Sequence, residues 1–244
     1  MVDRESGGIL RTLVRQWNEV TAELPRLRPS AEVKPTDGHA IFQVTSTPGS
    51  PAVAFDIRPV VFSLPERGYH HESKELFVVV KGSMSFVRQK FADSGKLTTH
   101  TFGTQVAYFR RGNQVLTHVY GAHYDFALNE LGHPVFHAQM RSFSELSSHV
   151  LEQYGYDGEV EDLVKGLLRA VRIPTAQLDA FSLFVQICAD HLLYDKSGPE
   201  AKAAFNSLLE KSKFCQGAAG QLARLATEEA RSCYRARHWY PAIA

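Results

Sequence analysis

The stretch GHPVFHAQM, Gly132 to Met140, sets two histidines four residues apart among apolar neighbours. An imidazole can ligate a metal, move a proton or hydrogen-bond a partner. Seven of the 11 histidines fall between positions 70 and 137: His70, His71, His100, His118, His123, His133 and His137. Spacing decides which of them can cooperate. Residues i and i+4 of a strand share a face but lie ~13 Å apart, while a zinc–imidazole bond is only ~2.0–2.1 Å. His133 and His137 on a regular strand therefore cannot hold one ion together.

A partner on the neighbouring strand is the better expectation. Phe136, Ala138 and Met140 alternate with His137 and Gln139. On the preceding segment His118, Tyr120, Ala122, Tyr124, Phe126 and Leu128 form the more apolar set, and Val119, His123 and Asp125 the other. Placing both apolar sets on one side of the sheet fixes the register. A three-residue ELG loop, with Gly132 left-handed, closes such a hairpin. Asn129 then faces His133, Asp125 faces His137, and His123 faces Gln139. Asp125 and His137 become candidate catalytic residues, because a carboxylate orients an imidazole and raises its basicity. The plainer reading is a half-exposed cross-strand ion pair contributing ~0.2–1 kcal/mol.

The segment ERGYHHESKELFVVVKG invites a metal reading. His71-x3-Glu75-x6-Gly82 resembles the second half of the first cupin motif. The resemblance implies a metal inside a β-barrel, with a glycine turning the next strand. His71 and Glu75 would be ligands, His118 or His123 would complete the set, and a divalent metal would be the cofactor. It covers about 12 residues. Tyr69 stands where the family has its first histidine and Ser63 where it has its leading glycine.

The elements that must carry these residues read as three blocks. Ile9, Leu10, Leu13, Val14, Trp17, Val20 and Leu24 follow helical spacing, which predicts an amphipathic helix within 1–30. From 31 to 142 the chain is rich in β-branched and aromatic residues, with turn signals at TPGSP, PERG, KG, ADSG, RRGN and ELG. That block predicts about 7–8 antiparallel strands in a curved sheet or partly closed barrel. From 143 to 244 the spacing predicts helices only, including EVEDLVKGLLRAVR and a helix capped by Thr175. The fold class is α+β.

The last of these helices carries a basic stripe. Arg224, Glu228, Arg231, Arg235 and His238 share one helical face, while Leu222, Leu225, Glu229 and Cys233 fall nearer another. Arg231-x6-His238 resembles the loosest form of the arginine–histidine signature of the all-helical HEPN ribonucleases, although Ser232 follows the arginine. That resemblance makes Arg231 and His238 catalytic on RNA. Arg235, Trp239 and Tyr240 are the candidate partner-binding residues, since arginines and aromatics dominate interface energetics. Helical neighbours Asp190 and His191 point in different directions and read as part of a core helix.

Bulk properties exclude several classes. With 44% hydrophobic and 22% charged residues, the 244-residue chain has ordinary globular composition. A net charge of +1 leaves nucleic acid to the local C-terminal stripe. Cys188, Cys215 and Cys233 form no C-x-x-C, so neither a disulfide framework nor a zinc finger is expected. No P-loop, dinucleotide-binding glycine motif, H-E-x-x-H or G-x-S-x-G occurs. No apolar run reaches the ~20 residues that span a bilayer, so a soluble, cytoplasmic protein is expected. The expected function is a binding or accessory protein that takes a protein partner or a second copy of itself. A cupin-like metal protein and a HEPN-like ribonuclease are the alternatives.

Overall fold

A computed structural model describes residues 3–36, 40–65, 75–112, 115–126, 136–155, 158–164, 172–175, 179–193 and 197–212. His70, His71, Asn129, Gly132, His133, Arg231, Arg235, His238, Trp239 and Tyr240 lie outside the described residues.

Asp3 starts the first helix, α1 (Arg4–Thr21). Its carboxylate accepts the Ser6 amide at 2.8 Å and the Arg88 guanidinium at 2.7 Å, which satisfies one of the free first-turn donors. Ile9, Leu13, Trp17 and Val20 form the buried stripe, with Leu10 half-buried and Val14 37% exposed. The sheet thus covers a narrower stripe than the apolar spacing predicts. A short helix α2 (Leu24–Leu27) follows.

Among the described residues nine strands then build one sheet: β1 (Glu32–Pro35), β2 (Phe42–Val44), β3 (Ala52–Pro65), β4 (Glu75–Val87), β5 (Thr99–Arg111), β6 (Val115–Phe126), β7 (Phe136–Met140), β8 (Glu159–Asp162) and β9 (Arg172–Pro174). The path runs β1-β3-β4-β5-β6-β7-β9, with β2 also on β3 and β8 also on β6. The path is open, not closed into a barrel. All pairs are antiparallel except β6 with β8.

Four sequence expectations need correction. The KG signal is no turn: β4 runs straight through Lys81 and Gly82. Gly82 is there because β5 passes so close that a Cβ would sit 2.1 Å from the Gly103 carbonyl oxygen. The expected helix over EVEDLVKGLLRAVR is replaced at both ends by β8 and β9, so the stretch after 143 is not all helical. Partners far away in sequence overrode its local helical preference. The pairing of β8 is parallel, unlike the rest. Asp179, not Thr175, caps the helix α5 (Ala180–His191), accepting the Phe181 and Ser182 amides at 2.9 and 3.2 Å.

Helices cover both faces, unequally. On one face α1, α2, α5 and α6 (Pro199–Ser212) share a core with the sheet. Trp17 is its hub, edge-on to Phe42, Phe181 and Phe184 with ring centroids 5.6–6.2 Å apart. Buried Glu23 fastens this layer, accepting from Ser207, Lys211 and Arg26. On the second face α4 (Ser147–Tyr154) lies with Phe143 and Leu146 over Val61, Phe77, Val79, Phe109 and Leu116. Leu76–Val80 of β4 is consequently buried on both faces. At Lys81 that cover stops, and Lys81 and Ser83 lie at the surface. None of the described helices is long and apolar enough to cross a membrane.

Candidate functional site

The half of the second face that no described helix covers is polar by alternation. Along β4, β5, β6 and β7 the residues on this side are Lys81 and Ser83, Gly103 and Gln105, His123 and Asp125, and His137 and Gln139. Cross-strand pairing arranges them in two ribs. Ser83, Gly103, Asp125 and His137 follow one another across four strands, and Lys81, Gln105, His123 and Gln139 run beside them. The hairpin register is the one the apolar alternation requires: Asp125 faces His137 and His123 faces Gln139.

Asp125 is the centre of this patch. Its Oδ1 lies 2.9 Å from Nδ1 of His137, which is 1% exposed. The approach is close but bent away from hydrogen-bond geometry, so attraction through a low-dielectric surrounding carries most of it. The other oxygen, Oδ2, lies 3.9 Å from Nδ1 of His123. His123 is 29% exposed and Asp125 26%. Burial pushes the His123 imidazole below its usual value of 6.5; the Asp125 charge opposes this, and His137 and Arg141 reinforce it. His123 is therefore neutral at neutral pH, with one ring nitrogen able to accept a hydrogen bond.

Gly103 leaves a gap beside these groups. A Cβ there would stand 3.4 Å from His123 Nε2 and 3.8 Å from Ser83 Oγ. Both polar atoms border space that any other side chain would fill. Ser83, Gly103, Gln105 and Lys81 are the members of the patch that sequence reading missed. Their signal was the polar period of two in KGS and TFGTQ, on strands expected to be shorter and broken.

His118 lies elsewhere, and its placement is a correction. A bulge opens between Tyr108/Phe109 of β5 and Tyr120/His118 of β6. It leaves Val119 extra and turns His118 to the side opposite Tyr120. Tyr120 packs edge-on to Tyr108 in the α1/α5 core, while the His118 ring lies 5.0 Å from Phe109 beneath α4. His118 is fully buried, and its Nδ1 donates to Asp162 Oδ1 at 2.9 Å. Ser142 Oγ donates to the other Asp162 oxygen at 2.5 Å, and the Val164 amide donates at 3.0 Å. Burial alone would raise the Asp162 carboxyl; these hydrogen bonds and the His118 charge outweigh it and hold it at about 2. His118 Nε2 is buried without a partner, against Gly121. This group locks β8 to β6; His118 is fully buried within it and Asp162 is 16% exposed.

Of the metal candidates, Glu75, His118 and His123 lie among the described residues, and these three do not converge. Glu75 pairs with Arg111 at 2.8 Å at the start of β4. His123 sits level with Lys81, six residues further along, or ~20 Å. His118 is committed to Asp162. Among the described residues no three histidine, cysteine or acidic side chains are grouped to hold a metal ion. Comparison with protein-family models, curated proteins and solved structures finds no match. The site must be read from its own geometry.

One further cluster lies across the sheet. Tyr120 and Tyr124 hydroxyls are 3.1 Å apart, Tyr108 lies beside them, and the His191 ring is 5.7 Å from Tyr108. Burial, with Asp190 nearby, pushes the Tyr108 phenol up; burial and the Tyr120 hydrogen bond do the same for Tyr124. These phenols stay protonated and serve as packing with polar edges.

Proposed function

We propose that this chain is a binding or accessory protein, and that the open polar half of its sheet is the face it presents to a protein partner. The reading rests on one observation: Asp125 lies between a buried histidine and a half-exposed one. His137 anchors the carboxylate from the neighbouring strand. His123 then offers its Nε2 beside Ser83 Oγ and the gap at Gly103. A donor group of the partner, such as a hydroxyl or an amide N–H, would be accepted there, flanked by the amides of Gln105 and Gln139. A flat row of strand residues suits a protein surface better than it suits a small ligand, which is usually held in a concave pocket. Few contacts need carry the energy if they are central and well oriented.

Quantitative affinity purification of the full chain tests this, comparing wild type with His123→Ala and Ser83→Ala under mass-spectrometric readout. The expected result is a protein enriched by wild type and lost, by tenfold or more, from His123→Ala. Equal recovery by all three baits, with unchanged thermal unfolding, would overturn it.

A further inference from the structure

The apolar stripe of α1 is wider than the sheet that covers it. Leu10, packed at the edge of the core, and the more exposed Val14 line, with Ala22 and the side chains of Arg11, Arg15, Asn18, Glu19 and Lys211, a groove of about 720 Å³. Val14 is among the few large apolar side chains exposed in the described residues. The groove lies between α1 and the end of α6, and the described chain stops at Ser212, one residue beyond Lys211 on its rim. Residues 213–244 follow in sequence.

We propose that this groove is the docking site for the chain's own C-terminal segment, through Leu222 and Leu225. Three observations agree. The first is reach: ten residues join Ser212 to Leu222, and such a length extends to ~33–36 Å. From Leu10 to Ala22 the helix measures only ~18 Å. The second is shape: helical spacing puts Leu222, Leu225, Glu229 and Cys233 along one stripe, an apolar pair of anchors for Leu10 and Val14. The third is charge. Arg11 and Arg15 stand one turn apart on the groove, and Glu229 follows one turn after Leu225. Docked in this way, the segment keeps Arg224, Arg231, Arg235 and His238 turned outward.

A native thiol makes the proposal testable in the whole protein. Cys188 is buried, and burial pushes its thiol up, so it stays unreactive. With Cys215→Ser removing the second thiol, Cys233 remains as the reporter. With Leu222 on Leu10 and Leu225 on Val14, Cys233 comes level with Ala22, so Ala22→Cys and, separately, Asn18→Cys place a partner in the groove; Asp93→Cys, exposed on α3 (Arg88–Ser94), is the control. Two groove positions guard against one variant failing to fold. Under mild oxidation, at least one groove cysteine should form an intramolecular disulfide with Cys233 some tenfold faster than the control. Leu222→Asp with Leu225→Asp should abolish that excess. Equal rates at groove and control sites would overturn the proposal. A disulfide-linked dimer in place of the internal bond would overturn it as well, assigning the groove to a second copy.

Discussion

Two histidine–aspartate contacts of identical length lie on the same side of one sheet. His118–Asp162 and His137–Asp125 each measure 2.9 Å, and in both the histidine is buried. The surroundings separate them. Asp162 takes hydrogen bonds from Ser142 and Val164 as well as His118, beneath α4. Asp125 has an oxygen turned toward a second, half-exposed histidine and the gap at Gly103. Distance alone does not distinguish a structural pair from a recognition site. What distinguishes them is whether the carboxylate has capacity left and whether that capacity faces a surface.

The comparison breaks most visibly at Asp162. Asp162→Ala strips three donors of their acceptor and leaves His118 buried without its partner. Denaturant unfolding should show a loss of about 3 kcal/mol, and Asp125→Ala a smaller one. Equal losses would mean that the two pairs have the same role.

The glycines beside the two histidines should differ next. A Cβ at Gly121 would lie 2.1 Å from the Arg141 backbone oxygen and 3.1 Å from His118 Nε2, so Gly121→Ala should cost about 2–3 kcal/mol. At Gly103 the nearest atom is the end of a side chain at 3.4 Å. Gly103→Ala should stay within about 1 kcal/mol and act on partner binding instead. Thermal melts of the two variants check the order.

Acid should weaken the covered pair. Asp162 sits at about 2, below its ordinary 3.8. Its contribution is complete above pH ~4 and fades as pH falls to ~2, amounting to about 1–2 kcal/mol once partial exposure is allowed for. The stability gap between wild type and Asp162→Asn should shrink over that window.

The smallest effect belongs to His123. Its folded value lies below 6.5, so the unfolded chain takes up the proton first as pH drops. It therefore costs stability only as pH falls below ~6.5. The charge of Asp125 holds the value up, so Asp125→Asn should move the His123 NMR titration to lower pH. A shift the other way would remove Asp125 from the role given to it here.

Much of the open site was legible in the chain. Alternating Phe136, Ala138 and Met140 against Tyr120, Ala122, Tyr124 and Phe126 admit a single register, and with it the Asp125–His137 pairing. The broader patch was hidden because Lys81 and Gly82 resemble a turn, whereas close approach of β5 demands the glycine in mid-strand. His118 was assigned to the wrong face because no residue type marks the bulge at Val119; it is a property of two strands together. Asp162 could not be connected to His118 at all. They meet through a parallel pairing 44 residues away in sequence, made by a segment whose own composition favours helix.

The bulge also bears on how this gene can change. Val119 acts as a spacer of one codon between two stretches of β6 that count their faces independently. Loss of that codon would make His118 and Tyr120 direct neighbours, which ordinary alternation already sets on opposite faces. His118 would still face Asp162, and His123 and Asp125 would keep their side of the sheet. Deletion of Val119 should therefore be inherited more readily than deletion of a paired residue such as Ala122, which would turn one of the two sets over.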